Sequence, residues 1–178
     1  MRRSYRGRTR PRPAHYDGPV SDSWFVVNAG EAEARWVERP GFGKRCLLEP
    51  EGGEFEQVGI HLSVIEPGDR STLYHAEEAQ EDFLVLRGSC TAIVEEQERH
   101  VKKWDLVHCP PGTRHVFVNE GAEPCVLLMV GARTGGGIRY PVSEVALRHG
   151  AGVAVEARSA RDAYAGLEPW RAAHPAPL

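Results

Sequence analysis

The 178-residue sequence contains no uninterrupted apolar run of roughly 18 residues or more, so no segment reads as a membrane-spanning helix. The N-terminal stretch MRRSYRGRTRPRPAH lacks the apolar core of a secretory leader, and export by that route is not expected. Cysteine is sparse: Cys46, Cys90, Cys109 and Cys125 are scattered and show no Cys-x-x-Cys spacing. Three of them, Cys90, Cys109 and Cys125, fall inside apolar patterns, where free thiols act as small core residues. A reduced, cytoplasmic protein is therefore expected. Charge of one sign is missing too. With 22 Lys and Arg against 25 Asp and Glu, the net charge of −3 gives no electrostatic reason to expect nucleic acid or a membrane as partner. No Gly-rich phosphate loop and no Ser-His-Asp arrangement can be supported from the sequence. The strand pattern occurs once, which excludes an internally duplicated barrel.

Turn residues, in contrast, are plentiful. Gly (19) and Pro (13) are spread along the chain and suit many short strands joined by tight turns. Residues 1–22 are the exception: Arg2, Arg3, Arg6, Arg8, Arg10 and Arg12 stand among Pro and Gly with little to bury, which predicts a disordered basic arm. It lacks the aromatic interleaving of a nucleic-acid contact. Strands are predicted at Trp24–Val27, Ala34–Val37, Gly59–Glu66, Phe83–Leu86, Cys90–Val94, Asp105–Cys109, His115–Val118 and Cys125–Val130, with a polar turn over Glu95–Arg99. Ser143 and Gly150 bracket a short helix over Glu144–His149, and Ser159 and Gly166 bracket another. The fold class is all-β, a single barrel or sandwich over residues 23–137, with a C-terminal extension over 138–178 whose short helices lie outside the barrel.

The chemistry-bearing residues cluster at 74–81 and 115. In a strand, His75 and Glu77 share one face, with Tyr74 and Ala76 on the other. A bend over 78–80 returns Glu81 beside them, and His115 restarts a strand after Pro110-Pro111-Gly112. Singly, each of these has a bland reading: a surface His–Glu pair, a solvated strand end, a packed barrel-end histidine. Together, two imidazoles and two carboxylates would suit a divalent transition metal.

The stretch from Gly68 to Asn119 resembles the two motifs of the cupin superfamily. The first runs Gly68, His75-Ala76-Glu77, three residues, Glu81, six residues, Gly88; the second runs Trp104, five residues, Pro110-Pro111-Gly112, two residues, His115, three residues, Asn119. Two positions depart from the family pattern: Trp104 replaces a Gly, and Glu77 replaces the second His. The resemblance implies a double-stranded β-helix (jelly-roll) barrel with its motif core at 68–119. It also implies His75, Glu77, Glu81 and His115 as ligands of one divalent metal, with Zn, Fe, Mn and Ni all open. A second register puts Tyr74 and Ala76 in the first two ligand positions, and both registers stay open at this point.

Other pocket candidates are weaker. Tyr74 is a rim donor, and His61 and His108 either line the pocket or pack within it. Phe83, Val85, Ile93, Leu106, Phe117 and Leu127 supply an apolar wall for a small-molecule ligand. Three function classes fit. One is a metal-dependent enzyme, of dioxygenase or isomerase and epimerase type, with Glu77 as a base. The others are a small-molecule sensing module and a non-catalytic barrel. A homodimer paired through Trp24–Val37 is expected from the need to cover sheet edges.

Overall fold

The computed structural model describes residues 25–31, 34–49, 55–133 and 136–178; the predicted arm at 1–22 lies outside the described residues. Twelve strands are present among them: β1 (Arg35–Glu38), β2 (Lys44–Leu47), β3 (Val58–Ile65), β4 (Ala76–Glu77), β5 (Glu81–Arg87), β6 (Ser89–Val94), β7 (Gln97–Lys102), β8 (Leu106–Cys109), β9 (His115–Val118), β10 (Cys125–Ala132), β11 (Ile138–Arg139) and β12 (Arg171–Ala173). All pair antiparallel, in a seven-stranded sheet ordered β12-β1-β2-β3-β10-β5-β8, a three-stranded sheet β7-β6-β9 and a small β11-β4 ladder.

The two larger sheets share one interior. Ile65, Phe83, Val85, Cys125, Leu127 and Met129 from the large sheet pack against Cys90, Ala92, Val101 and Phe117 from the small one. Pairing fixes which residues face inward, because directly opposed residues share a face. Ile65 lies opposite Cys125, Ser63 opposite Leu127, His61 opposite Met129 and Gly59 opposite Gly131. Across β10, Leu127 meets Val85, Met129 meets Phe83 and Gly131 meets Glu81. One end of the interior is thus apolar, and the other carries His61 and Glu81 around a gap left by two glycines.

The outer face of the large sheet is buried as well. Trp36, Cys46, Leu62, Val64 and Val126 pack there with Ala176, and the Trp36 indole N–H donates to the Ala29 carbonyl at 2.8 Å. The C-terminal segment reaches this face because β12 pairs with β1, Trp36 opposite Ala173. The extension over 138–178 is therefore woven into the fold: β11 pairs with β4, and Tyr140 bridges to Ala157. Helix α1 (Glu144–Arg148) is capped by the Ser143 hydroxyl, which accepts from the Ala146 N–H, and α2 (Ala160–Ala163) by Ser159, which accepts from Asp162.

Three predicted features differ. Residues 25–28 form no strand. The polar turn is only Glu95-Glu96, both with positive φ as a tight two-residue hairpin demands, and Gln97–Lys102 is strand β7. That strand lies on the protein's outside with only Val101 buried, so its sequence carries no apolar alternation. Finally, β1 already has β12 as its neighbour, so its edge is closed within the chain. No helix among the described residues is long and apolar enough to cross a membrane.

Candidate metal centre and its cavity

His75 and His115 are placed by a single backbone contact. Each donates its N–H to the other's carbonyl, at 3.2 and 2.8 Å, an antiparallel bridge that puts both side chains on one face with ring centroids 4.7 Å apart. Each ring is then oriented by a backbone carbonyl two residues earlier: His75 Nδ1 lies 2.8 Å from the Leu73 oxygen, and His115 Nδ1 lies 3.1 Å from the Thr113 oxygen. A carbonyl only accepts, so both protons sit on Nδ1 and both Nε2 lone pairs are free. Glu81, the first residue of β5, closes the group with an oxygen 3.4 Å from His115 Nε2. One donor atom from each of His75, Glu81 and His115 lies within 4.8 Å of the others. Glu77 stands beside this trio, its carboxylate 3.9 Å from His75 Nε2.

Burial sets the protonation of the group. His75 and His115 are only 5% and 2% exposed. Desolvation pushes His75 down to about 3, assisted by His115, and His115 down to about 4. Glu81 is pushed up to about 8, first by burial and then by the neighbouring Glu77 charge, and Glu77 is itself raised by burial. Two neutral imidazoles with converging lone pairs and a carboxyl short of positive charge form a donor set that fits a divalent cation.

The trio lines a cavity of about 270 Å³ that Arg45, His61, Phe83 and Met129 also line. Phe83 packs on the His115 ring at 4.9 Å, and Tyr140, nearly parallel to His75, covers that ring at 5.6 Å.

The sequence-predicted residues divide clearly. His75, Glu77, Glu81, His115, Phe83 and His61 all line the cavity. Phe117 lies one layer deeper, 4.8 Å behind Phe83. Tyr74 does not reach the cavity: it is fully buried among Ile93, Val116 and Val118, and its hydroxyl accepts from the Glu96 N–H at 3.2 Å. The register with Tyr74 and Ala76 facing the site is therefore not the one adopted. His108 also lies elsewhere, on the open edge strand β8, with Nδ1 donating to Asp82 at 2.7 Å. Of the expected wall, Val85 and Leu127 belong to the interior core, Ile93 faces away from it, and Leu106 is 63% exposed because Val107 takes the inward position. Arg45 and Tyr140 were not foreseen. Both reach the site through long-range pairing, of β2 with β3 and of the C-terminal segment with β4, that no local pattern announces.

Residues 61–131 match the cupin domain family. No curated protein matches the chain. Among solved structures, the chain is similar to a candidate sugar phosphate isomerase from Acidithiobacillus ferrooxidans, at 31% identity over 56% of this chain, with a TM-score of 0.49; this chain spans 65% of that protein's length. It is also similar to the polyketide cyclase RemF of Streptomyces resistomycificus, at 19% identity over 65% of this chain and 83% of that one, with a TM-score of 0.55. A cupin 2 domain-containing protein from Halorhodospira halophila aligns at 22% identity over 60% and 75% of the two chains, with a TM-score of 0.50. The latter two likenesses are of fold. With two apposed antiparallel sheets and a family match across the strands that build the interior, residues 61–131 of this chain form a cupin domain.

Proposed function

We propose that the protein is a metal-dependent enzyme acting on a small oxygen-bearing organic molecule. The observation that carries this reading is the convergence of His75, Glu81 and His115 donor atoms within 4.8 Å at the wall of an open cavity. His75 Nε2, His115 Nε2 and a Glu81 oxygen would hold one divalent transition metal, with Zn, Fe, Mn and Ni all compatible with the donors. A metal bound there supplies Lewis acidity or, as iron, a place for dioxygen. Three protein donors leave positions for a ligand, whereas a purely structural site is closed by four.

The chain's own residues supply the rest. Glu77 borders the cavity without belonging to the trio, and burial holds its carboxyl above the ordinary range, so it can take a proton from a bound molecule as a base. Phe83 and Met129 give the cavity an apolar side that restricts water, and Tyr140 holds the His75 ring in place. The four buried, unpaired thiols suit a reducing compartment, and a cytoplasmic location is part of the proposal. So is a homodimer. Since β1 is covered within the chain, the open edge strand β8, with Leu106 exposed and Trp104 just before it, is the better candidate contact. A monomeric mass by light scattering at micromolar concentration would sink the dimer.

Elemental analysis of the purified protein beside His75→Gln and Glu81→Gln variants tests the centre. The expected result is about one equivalent of a transition metal in the wild type, lost or strongly reduced in both variants. Equal metal in all three, or none after reconstitution, overturns the assignment. Metal without turnover of any small oxygenated compound would turn the reading from enzyme to sensing module.

A further inference from the structure

Arg45 lines the same cavity from the large sheet, and among the described residues it has no acid beside it. On β2 it lies opposite Ser63 of β3, and two residues on Leu47 lies opposite His61, so Arg45, Ser63 and His61 share the inward face of the large sheet. The guanidinium donates through Nη2 to the Ser71 carbonyl at 2.6 Å and stacks on the Trp170 ring at 4.5 Å. Its Nε is shut off from solvent with no hydrogen-bond partner. The same holds for His61 Nε2 and Ser63 Oγ. Three of the four such atoms found among the described residues therefore fall on this one patch; the fourth is Arg70 Nε.

Other arginines show what is missing. Arg133, on the same cavity wall, pairs with Glu49 at 2.5 Å, and Arg114 is clamped by Glu95. Among the described residues no carboxylate lies within ion-pair distance of Arg45, and the cation Arg39 acts on it unfavourably. Buried cations are normally paired, and buried donors are normally bonded. Arg45 lines the same cavity as His61, His75, Glu81 and His115, which places it at the candidate metal centre's own pocket.

We propose that Arg45 and His61 form an oxyanion subsite, and that the molecule taken into the cavity is a small organic anion. Its carboxylate or phosphate sits on Arg45 while a second oxygen reaches the His75–Glu81–His115 centre. The second half of this statement rests on the metal reading above; the first half does not. A guanidinium suits either anion because its planar fork matches paired oxygens. His61, held neutral by burial, adds an uncharged ring contact. A cavity of about 270 Å³ limits the partner to a few carbon atoms.

The test uses the full chain, both as purified and stripped with a chelator. Malonate, inorganic phosphate and neutral malonamide are titrated by calorimetry into wild type, Arg45→Gln, Arg45→Lys and His61→Gln, with metal content measured on every sample. The expected result is that at least one anion binds the stripped wild type and malonamide does not. Arg45→Gln weakens that binding by about 30-fold or more, as for loss of one partner of a buried charged contact. Arg45→Lys falls between, and His61→Gln weakens it by about 5-fold. Preference for malonate assigns a carboxylate ligand, and preference for phosphate assigns a phosphorylated one. No anion binding to the wild type, or unchanged affinity in Arg45→Gln, overturns the subsite. If Arg45→Gln does not fold, unchanged affinity in His61→Gln overturns it instead. Anion binding by a wild type that takes up no metal would leave the subsite standing and remove the metal centre; metal uptake without anion binding would do the reverse.

Discussion

The barrel interior has two ends built by the same strands, and they behave as different solvents. At one end Ile65, Val85, Cys90, Phe117, Cys125 and Leu127 make a dry core whose polar side chains are two thiols hydrogen-bonded to each other. Two to four residues along β3, β5 and β10, the same inward positions carry Ser63, His61, Glu81 and Gly131. Both ends are buried, yet only the second leaves polar atoms without partners. Apolar packing is concentrated at the dry end, and the polar end holds groups that lack hydrogen-bond partners among the described residues.

The sharpest way to break that division is Leu127→Ala at the dry end. Leu127 is fully buried, and its loss leaves a cavity that should cost about 2–5 kcal/mol in urea unfolding. Metal content per folded molecule should not change, because no donor of the trio rests on Leu127. A parallel loss of metal would show that the two ends are mechanically one.

The polar end should reveal itself through pH. His61, His75 and His115 are all held below their ordinary value by burial. As pH falls below about 6.5, the unfolded chain takes up protons that the folded chain refuses, so stability drops toward pH 4. Glu81 works the other way: raised to about 8, it binds its proton better when folded, so stability falls as pH rises from about 4.5 to 8. Metal-free protein should therefore be most stable near pH 6.5, and His61→Gln should make the acid limb shallower. An acid limb identical in His61→Gln would mean that His61 is not held neutral.

Metal uptake sharpens the same point. At pH 7 both imidazoles are already unprotonated while Glu81 still carries its proton, so loading a divalent ion should release about one proton, and that from Glu81. Calorimetry in two buffers of different ionisation heat counts it. The count should fall as pH rises past about 8, where Glu81 is already ionised; a count that stays constant would point to another proton source.

These two ends were not equally legible in the sequence. The dry end's strands announce themselves because Pro67-Gly68, Arg87-Gly88 and Pro110-Pro111-Gly112 punctuate apolar runs, and Gly88 is required where a Cβ would stand 2.3 Å from the Pro124 carbonyl. The motif spacing marks His75, Glu81 and His115 because the turns between them have fixed lengths. Arg45 is silent: on a four-residue strand, its inward position depends on pairing with residues 61–64. Tyr140 covers His75 from 65 positions away in the chain, through a ladder of only two residues. The polar end is assembled from distant segments, and a local pattern reports only those segments that also turn.

The smallest effect lies on the rim of the dry end, at Trp104. Its φ of +76° is the left-handed conformation that glycine adopts without cost, and the family motif places a glycine there. The backbone has little choice: the Trp104 N–H donates to the Val85 carbonyl at 2.8 Å, and the Val85 N–H donates to the Asp105 carbonyl at 3.0 Å. The indole recovers little, since it is 67% exposed with the Lys103 ammonium 5.1 Å from its centre. Trp104→Gly should then stabilise the protein by about 1 kcal/mol, a rise in Tm of about 2–4 °C at this size. Trp104→Ala, which keeps the strain and drops the ring, should change Tm little. If Trp104→Gly instead lowers Tm, and does so more at high protein concentration than at low, the ring is covered in solution by a second copy across the β8 edge. The strained backbone would then be the cost of holding an interface residue outward.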